Sequence, residues 1–262
     1  MGHYERTDED ARLRGDRGGL ELVRTQEIIG RWLPDGAPLR ILDVGGGTGV
    51  HAEWLAAEGH RVHVVDPVPL HVDTVLARPG PVTAALGDAR RLDHDDASFD
   101  AVLLLGPLYH LTERDDRLAA LGEAMRVVVP GGPVFVAAIS RFASLFDGLA
   151  RERLFDPTFR SIVRRDLAEG QHRNPTGNPE WFTTAFFHHP DELGQEIEAA
   201  GLTLVSLLGV EGMAIWQPGV EERWSDPSAR EIILEAARAT EAEPTLRGLS
   251  AHLLAVAARP DR

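Results

Sequence analysis

Ile41 to Leu55 reads ILDVGGGTGVHAEWL: an apolar run, five residues of which four are glycine, then an amphipathic pattern. Glycine has no Cβ, so a ligand or another backbone can approach such a turn closely. A nucleotide-like cofactor, a phosphate, or simply a tight strand-to-helix turn would each suit it. A Walker-type phosphate loop needs a lysine before its Ser or Thr, and the chain has no lysine. A dinucleotide fingerprint, G-x-G-x-x-G/A, fails from Gly45, where its last position is Val50. From Gly47 it is satisfied through Gly49 and Ala52, so the glycines alone leave a nicotinamide cofactor open.

Three carboxylates narrow the choice. Asp43 lies in the strand end just before the glycines, where a buried charge is costly unless it has hydrogen-bonding work. It can orient the loop amides or accept a bond from a bound ammonium. Asp66 closes the next apolar run, where a carboxylate can accept both hydroxyls of a ribose. Asp88, in the step GDA, can accept from an exocyclic adenine amine. Three carboxylates at the carboxyl ends of successive strands, with no phosphate-binding basic residue expected beside them, suit a cationic ligand and disfavour a pyrophosphate.

Candidate proton-transfer groups follow later in the chain. Tyr109 and His110 come after the fourth strand, where a second substrate would sit, and His188 and His189 precede Pro190. His51, His60, His63, His71 and His94 have no constellation around them and read as surface residues. No histidine and carboxylate spacing matches a metal motif, so no metal is expected.

Composition removes whole classes of function. The chain has no cysteine, which excludes disulfides, thiolate metal sites and cysteine nucleophiles. Without lysine there is no Schiff base. A formal net charge of −14 repels nucleic acid, and the best basic cluster, Arg160, Arg164 and Arg165, is small. No run of about 18 apolar residues suggests a membrane span. The start of the chain, MGHYERTDEDARLRGDRGG, is polar and does not read as a secretory signal, so a cytoplasmic location is expected. A small-molecule ligand is the remaining partner class, and a homo-oligomer stays open.

The elements that must position these residues alternate. Apolar side chains at helical spacing cover 20–33, and strands are expected at 40–46, 61–67, 81–89, 98–111 (running into a loop) and 133–139. Helices are expected at 50–59, 68–77 and from 114 to the Pro130-Gly131-Gly132 break. Near-continuous apolar strands alternating with helices predict a doubly wound, mostly parallel sheet covered on both faces. The rhythm fails from Ser140 to His189, which holds half of the chain's aromatic side chains around the polar stretch EGQHRNPTGNPEW. It resumes with a helix at 190–202, a strand at 203–212, a helix at about 227–241 and a last strand at 252–258.

In the order and spacing of D-V-G-G-G-T-G (43–49), Asp66, the GDA step, SFDAVLLLGPLYHL (98–111) and RVVVPGG (126–132), the chain resembles class I S-adenosylmethionine-dependent methyltransferases. The resemblance covers roughly 20–139, and FFHHPDELGQEIEAAGL (186–202) resembles the family's late helix-to-strand step. It implies a seven-stranded Rossmann-like sheet, S-adenosylmethionine as cofactor and S-adenosylhomocysteine as product. It implies that Gly45, Gly47 and Gly49 line the methionine part, Asp66 with Pro67 the ribose, and Asp88 with Ala89 the adenine. It further implies that Leu105 or Gly106 offers a carbonyl to the amino group and that Arg24 pairs with the cofactor carboxylate. LGPLYHL and ISRF suggest the branch acting on small molecules.

The expected organisation is an N-terminal helical arm over 1–36, whose Tyr4 could fold over the cofactor as a lid. A cofactor-binding half follows over 37–139, a helical cap bearing the acceptor site over 140–189, and the rest of the core over 190–262. The expected reaction is methyl transfer to nitrogen or oxygen of a small molecule, natural products included, with His110, His188 or His189 as base. A nicotinamide-dependent reductase or epimerase and a non-catalytic cofactor-binding scaffold are the alternatives.

Overall fold

The computed structural model describes residues 19–261. Tyr4 and the rest of residues 1–18 of the expected arm lie outside the described residues. Helix α1 (Gly19–Trp32) leads to β1 (Arg40–Val44), α2 (Val50–Ala57), β2 (Arg61–Asp66), α3 (Pro69–Ala77) and β3 (Thr83–Leu86). Then come β4 (Ala101–Leu104), α4 (Pro107–His110), α5 (Arg114–Val127) and β5 (Pro133–Ile139). After the cap, α8 (Pro190–Ala199), β8 (Thr203–Gly209), α9 (Val220–Trp224), α10 (Pro227–Thr240) and β9 (His252–Ala258) complete the fold.

The seven strands lie in the order β3-β2-β1-β4-β5-β9-β8. The pairs from β3 to β5 are parallel, and β9 runs antiparallel to both β5 and β8. The expected doubly wound, mostly parallel sheet is therefore the architecture. Period-two alternation sends Leu42, Val44, Val102, Leu104, Leu253 and Ala255 to one face, where they pack with α5 and α8. Ile41, Leu103, Phe135, Leu254 and Val256 go to the other, against α1 and α2. Asp43 shares the parity of Ile41, so its carboxylate is directed into the α1–α2 layer.

Strand boundaries are mostly shorter than the apolar runs. The third strand keeps only Thr83–Leu86, and residues 107–110 form a short helix where a loop was expected. Pro107 at its first turn suits a helix start, because the missing N–H would be unpaired there anyway.

The cap contains α6 (Ala143–Ala150), α7 (Pro157–Glu169), β6 (Gln171–His172) and β7 (Ala185–Phe186). It is thus not purely helical: β6 and β7 pair antiparallel and pin the two ends of the polar stretch. His172 holds that stretch from within, with Nδ1 2.9 Å from Asp166 and Nε2 2.8 Å from the Trp181 carbonyl. None of the helices among the described residues is long and apolar enough to cross a membrane.

Candidate active site

A cavity of about 600 Å³ opens at the carboxyl ends of β1, β2 and β4. Its size falls in the range of small-molecule sites. The glycine turn forms its floor through Gly45, Gly46 and Gly47. A Cβ on Gly45 would sit 2.7 Å from the Pro107 ring, and one on Gly46 2.6 Å from the Asp43 carboxylate. The four-glycine run is thus required by protein packing at Gly45 and Gly46, leaving Gly47 to face open space. Gly49 does not line the cavity: it caps α2 at φ +86°, against Val75.

Asp43 is 1% exposed, and neither carboxylate oxygen has a hydrogen-bond partner among the described residues. Burial, and then the neighbouring Asp66 charge, raise its pKa from 3.8 to about 7. The loop amides are not held by Asp43, as was one expectation. Asp66 does this: its Oδ2 accepts from the Gly47 amide at 2.9 Å, and its Oδ1 from the Val68 amide at 2.9 Å. His71 Nδ1 lies 3.0 Å from the same Oδ1. Of the roughly four acceptor positions of a carboxylate, Asp66 keeps one, on Oδ2, beyond the contacts that fix the loop.

At the next strand, Asp88 lines the cavity with Ala89, but its carboxylate is gripped by Arg90, Oδ2 to Nη2 at 2.6 Å. That grip lowers the Asp88 pKa. Arg90 also reaches Asp116 at 3.2 Å. A basic residue does stand beside these carboxylates, contrary to expectation, with its charge matched by two aspartates. Pro67, Leu105, Gly106, Tyr109 and His110 all line the cavity. The Tyr109 and His110 rings are 4.5 Å apart, and Phe182 of the cap stacks on His110 at 6.5 Å.

Besides Gly49, three expected residues are elsewhere. Arg24 is fully buried under α10, where it donates to Glu241, to Glu27 at 2.5 Å and to the Val210 carbonyl at 3.2 Å. A guanidinium satisfied by two carboxylates is not available to a cofactor. His188 is buried away from the cavity, its Nε2 3.2 Å from Glu196. Burial lowers its pKa despite that carboxylate. His189 caps α8, accepting from the Asp191 amide, with an exposed ring.

Other residues were missed. Glu21 and Thr25, one turn apart on α1, line the cavity with His51, His71, Arg90, Thr183, Thr184 and His252. His51, expected on the surface, is enclosed, its Nδ1 without a partner among the described residues, and burial lowers its pKa to about 4. Glu21 and Thr25 share one face of α1 at helical spacing, a pattern visible in the sequence, but nothing in the sequence places that face beside the glycine turn. A second, open and polar depression of about 830 Å³ near Arg91, His94 and Arg126 lies at the other edge of the sheet.

Comparison with known proteins agrees with this geometry. A methyltransferase-domain model matches residues 41–132. An uncharacterized methyltransferase of Mycobacterium tuberculosis is 39% identical over 101 residues, 38% of this chain and 40% of that protein. The chain thus spans less than half the length of that relative. A demethylmenaquinone methyltransferase of Deinococcus radiodurans is 32% identical over 173 residues, 63% of this chain and 68% of its own length. A solved SAM-dependent methyltransferase of Thermotoga maritima, described as a possible histamine N-methyltransferase, superimposes with a TM-score of 0.63 at 18% identity, covering 98% of this chain and 99% of that one. The [4+2]-cyclase SpnF superimposes with a TM-score of 0.56 at 18% identity, over 90% of this chain and 80% of that one, so the shared fold alone does not name a reaction. With the glycine turn, the three strand-end aspartates and a relative matched over two thirds of its length, the chain belongs to the class I S-adenosylmethionine-dependent methyltransferase family.

Proposed function

We propose that this chain moves the methyl group of S-adenosylmethionine to an oxygen or nitrogen of a small organic molecule by in-line displacement. The observation that carries the reading is Asp43: a buried carboxylate with two unpartnered oxygens, under a glycine floor, beside a cavity. Such a group is stabilised by a cation and repels a pyrophosphate. In this reading Gly45 and Gly47 bound the methionine part, and Leu105 or Gly106 supplies a carbonyl to the ammonium. Asp66 with Pro67 meets the ribose, and Asp88 with Ala89 the adenine.

The cofactor supplies a methyl carbon already activated by sulfonium charge. The protein's work is then to align the acceptor, exclude water and remove a proton. Tyr109 and His110 face the same cavity and are candidates for contact with the acceptor. Thr183 and Thr184 bring the cap to the cavity, which supports an acceptor held between cap and sheet. A relative named for O-methylation in ubiquinone biosynthesis, 32% identical over 177 residues, supports an oxygen acceptor, with natural products among the candidates.

Calorimetric titration with S-adenosylhomocysteine, NADH and NADPH tests the cofactor. Saturable binding of the first alone is expected; binding of a nicotinamide nucleotide instead would overturn the reading. Transfer of labelled methyl from S-adenosylmethionine to a panel of catechol, 4-hydroxybenzoate and histamine then tests the acceptor class. Cofactor binding without transfer to any phenol or amine would favour a scaffold.

A further inference from the structure

Phe182 of the cap has a backbone that its residue type resists. Its φ is +61° and its ψ 179°, a region occupied almost only by glycine, because a Cβ crowds the chain there. Two side chains hold it so. The φ and ψ of a residue are set by the peptide planes on either side of its Cα, and here both planes are pinned through their carbonyls. The Trp181 carbonyl accepts from His172 Nε2 at 2.8 Å, and the Phe182 carbonyl from Asn174 Nδ2 at 2.9 Å. The donors are forced. A carbonyl only accepts, so a proton stands on His172 Nε2, while Asp166 faces Nδ1 at 2.9 Å and keeps the ring from turning. Asn174 Nδ2 also donates to the Asn178 carbonyl at 2.8 Å, and its Oδ1 accepts from the Thr176 amide at 3.1 Å, which leaves its amide one orientation.

The chain is anchored on both sides of this residue. The Trp181 ring stands edge-on to Phe159 at 5.3 Å, and Ala185 pairs with His172 in the β6–β7 ladder. Phe182, Thr183 and Thr184 span the interval between these anchors, and the two threonines line the cavity. The half-buried Phe182 ring faces that of His110, 26° from parallel and 6.5 Å away between centroids. It packs in one apolar cluster with Tyr109, Trp216 and Ile139, the last residue of β5. The site therefore has two unlike ends. Asp43, Asp66 and Asp88 line it at the carboxyl ends of β1 to β3, and the cap brings an aromatic ring and two threonine hydroxyls.

We propose that Phe182 is the specificity-determining residue of the acceptor site, an apolar wall for a flat, hydroxylated aromatic body, with His172 and Asn174 as the positioning residues that hold it. The inference rests on the methyl-transfer reading and deepens it by naming the part of the cap that selects the acceptor. A strained backbone persists where its surroundings over-determine it. The two hydrogen bonds do so here, and what they secure is the place of the ring beside Tyr109 and His110, both of which line the cavity. Thr183 and Thr184 offer hydroxyls to the polar group of the same acceptor.

The test uses the full chain saturated with S-adenosylhomocysteine, with 2-naphthol as the probe and its fluorescence as the readout. Saturable binding to the parent is expected, about tenfold or more weaker in Phe182→Gly and kept within about threefold in Phe182→Tyr. Asn174→Asp keeps the ring but removes both donated bonds, and should weaken the probe about threefold to tenfold. Affinity for S-adenosylhomocysteine should stay within about twofold of the parent in all three variants, a split that general loss of the fold would not produce. Glycine suits the backbone at this position, so Phe182→Gly should melt at a higher temperature than Phe182→Ala. Long-range proton–nitrogen spectra should show His172 protonated at Nε2 at pH 7.5. Four results would overturn the proposal: no binding of 2-naphthol to the saturated parent, equal binding to Phe182→Gly, a parallel loss of S-adenosylhomocysteine affinity, or a bare Nε2 on His172. Failure of the unmodified chain to bind S-adenosylhomocysteine is a different outcome; it removes the methyl-transfer reading and the acceptor wall with it.

Discussion

At the residue scale, Asp43 links stability to ligand binding. Its folded pKa is about 7 against 3.8 ordinarily, because burial and Asp66 both disfavour the charge. The folded state therefore holds the proton more tightly than the unfolded one. The stability this confers is complete below pH 3.8 and is lost as pH rises through about 7, an effect of at most about 4 kcal/mol. Denaturant titrations of the ligand-free protein should show that loss, and Asp43→Asn should abolish it and be the more stable form at pH 8. A ligand ammonium favours the ionised carboxylate. Affinity for S-adenosylhomocysteine should therefore tighten from pH 6 to pH 8, with proton release on binding. In Asp43→Asn that pH dependence should vanish and affinity fall about tenfold, the value of one charge-assisted hydrogen bond. Calorimetry in two buffers of different ionisation enthalpy checks both statements.

At the element scale, one ion pair holds the segment that carries Tyr109 and His110. Arg117 of α5 donates from Nε and Nη2 to Glu196 of α8, at 2.8 and 2.6 Å, and from Nη1 to the carbonyls of Leu111 and Thr112 at 3.0 Å. The guanidinium carbon stands 3.6 Å over the Phe186 ring of β7. A single arginine thus joins the α4 exit, α8 and the cap. Burial alone would raise the Glu196 pKa, but hydrogen bonds from Arg117 and His188 outweigh it and bring it to about 2. This contribution is present above pH 4.5 and lost as pH falls towards 2. Glu196→Gln leaves Arg117 buried without a counter-charge, so unfolding by urea at pH 7 should show a loss of about 3–5 kcal/mol. The variant should also show a flatter stability profile below pH 4.5 than the parent. His188, expected as a base, belongs to this joint and not to the chemistry.

At the scale of the whole molecule, α1 is fastened to residues more than two hundred positions away. Glu241, at the end of α10, accepts from Arg24 and from Arg31 at 2.6 Å, while Glu27 accepts from Arg24 and from Arg238 at 2.7 Å. Trp224 packs against Leu20 at the start of the same helix. The fastening holds Glu21 and Thr25 over the cavity, so the far end of the chain helps to shape the site. Arg24→Met should cost about 1–3 kcal/mol in urea unfolding, because the Val210 carbonyl loses its buried donor while Glu241 keeps Arg31 and Glu27 keeps Arg238. Its affinity for S-adenosylhomocysteine, measured calorimetrically, should match the parent. A loss of affinity at unchanged stability would instead restore Arg24 as a cofactor ligand.

The sequence by itself determined the alternation of elements and the crevice they build. Strand-end residues are legible because each ends its strand or follows it within a residue or two: the glycines after β1, Asp66 at the end of β2, Asp88 shortly after β3, Leu105 to His110 after β4. Local rules of strand length and turn chemistry place them without knowledge of long-range contacts. Pairing across the chain was not legible. Arg24 and His188 have the residue types of a site, and only tertiary packing, which gave each a buried carboxylate, took them out of it. The reverse holds for His252. It begins β9, and it reaches the cavity because β9 runs antiparallel to both its neighbours. Strand direction is decided by which edges pair over long sequence separations. The wall opposite Asp66 and Asp88 therefore belongs to the tertiary structure alone.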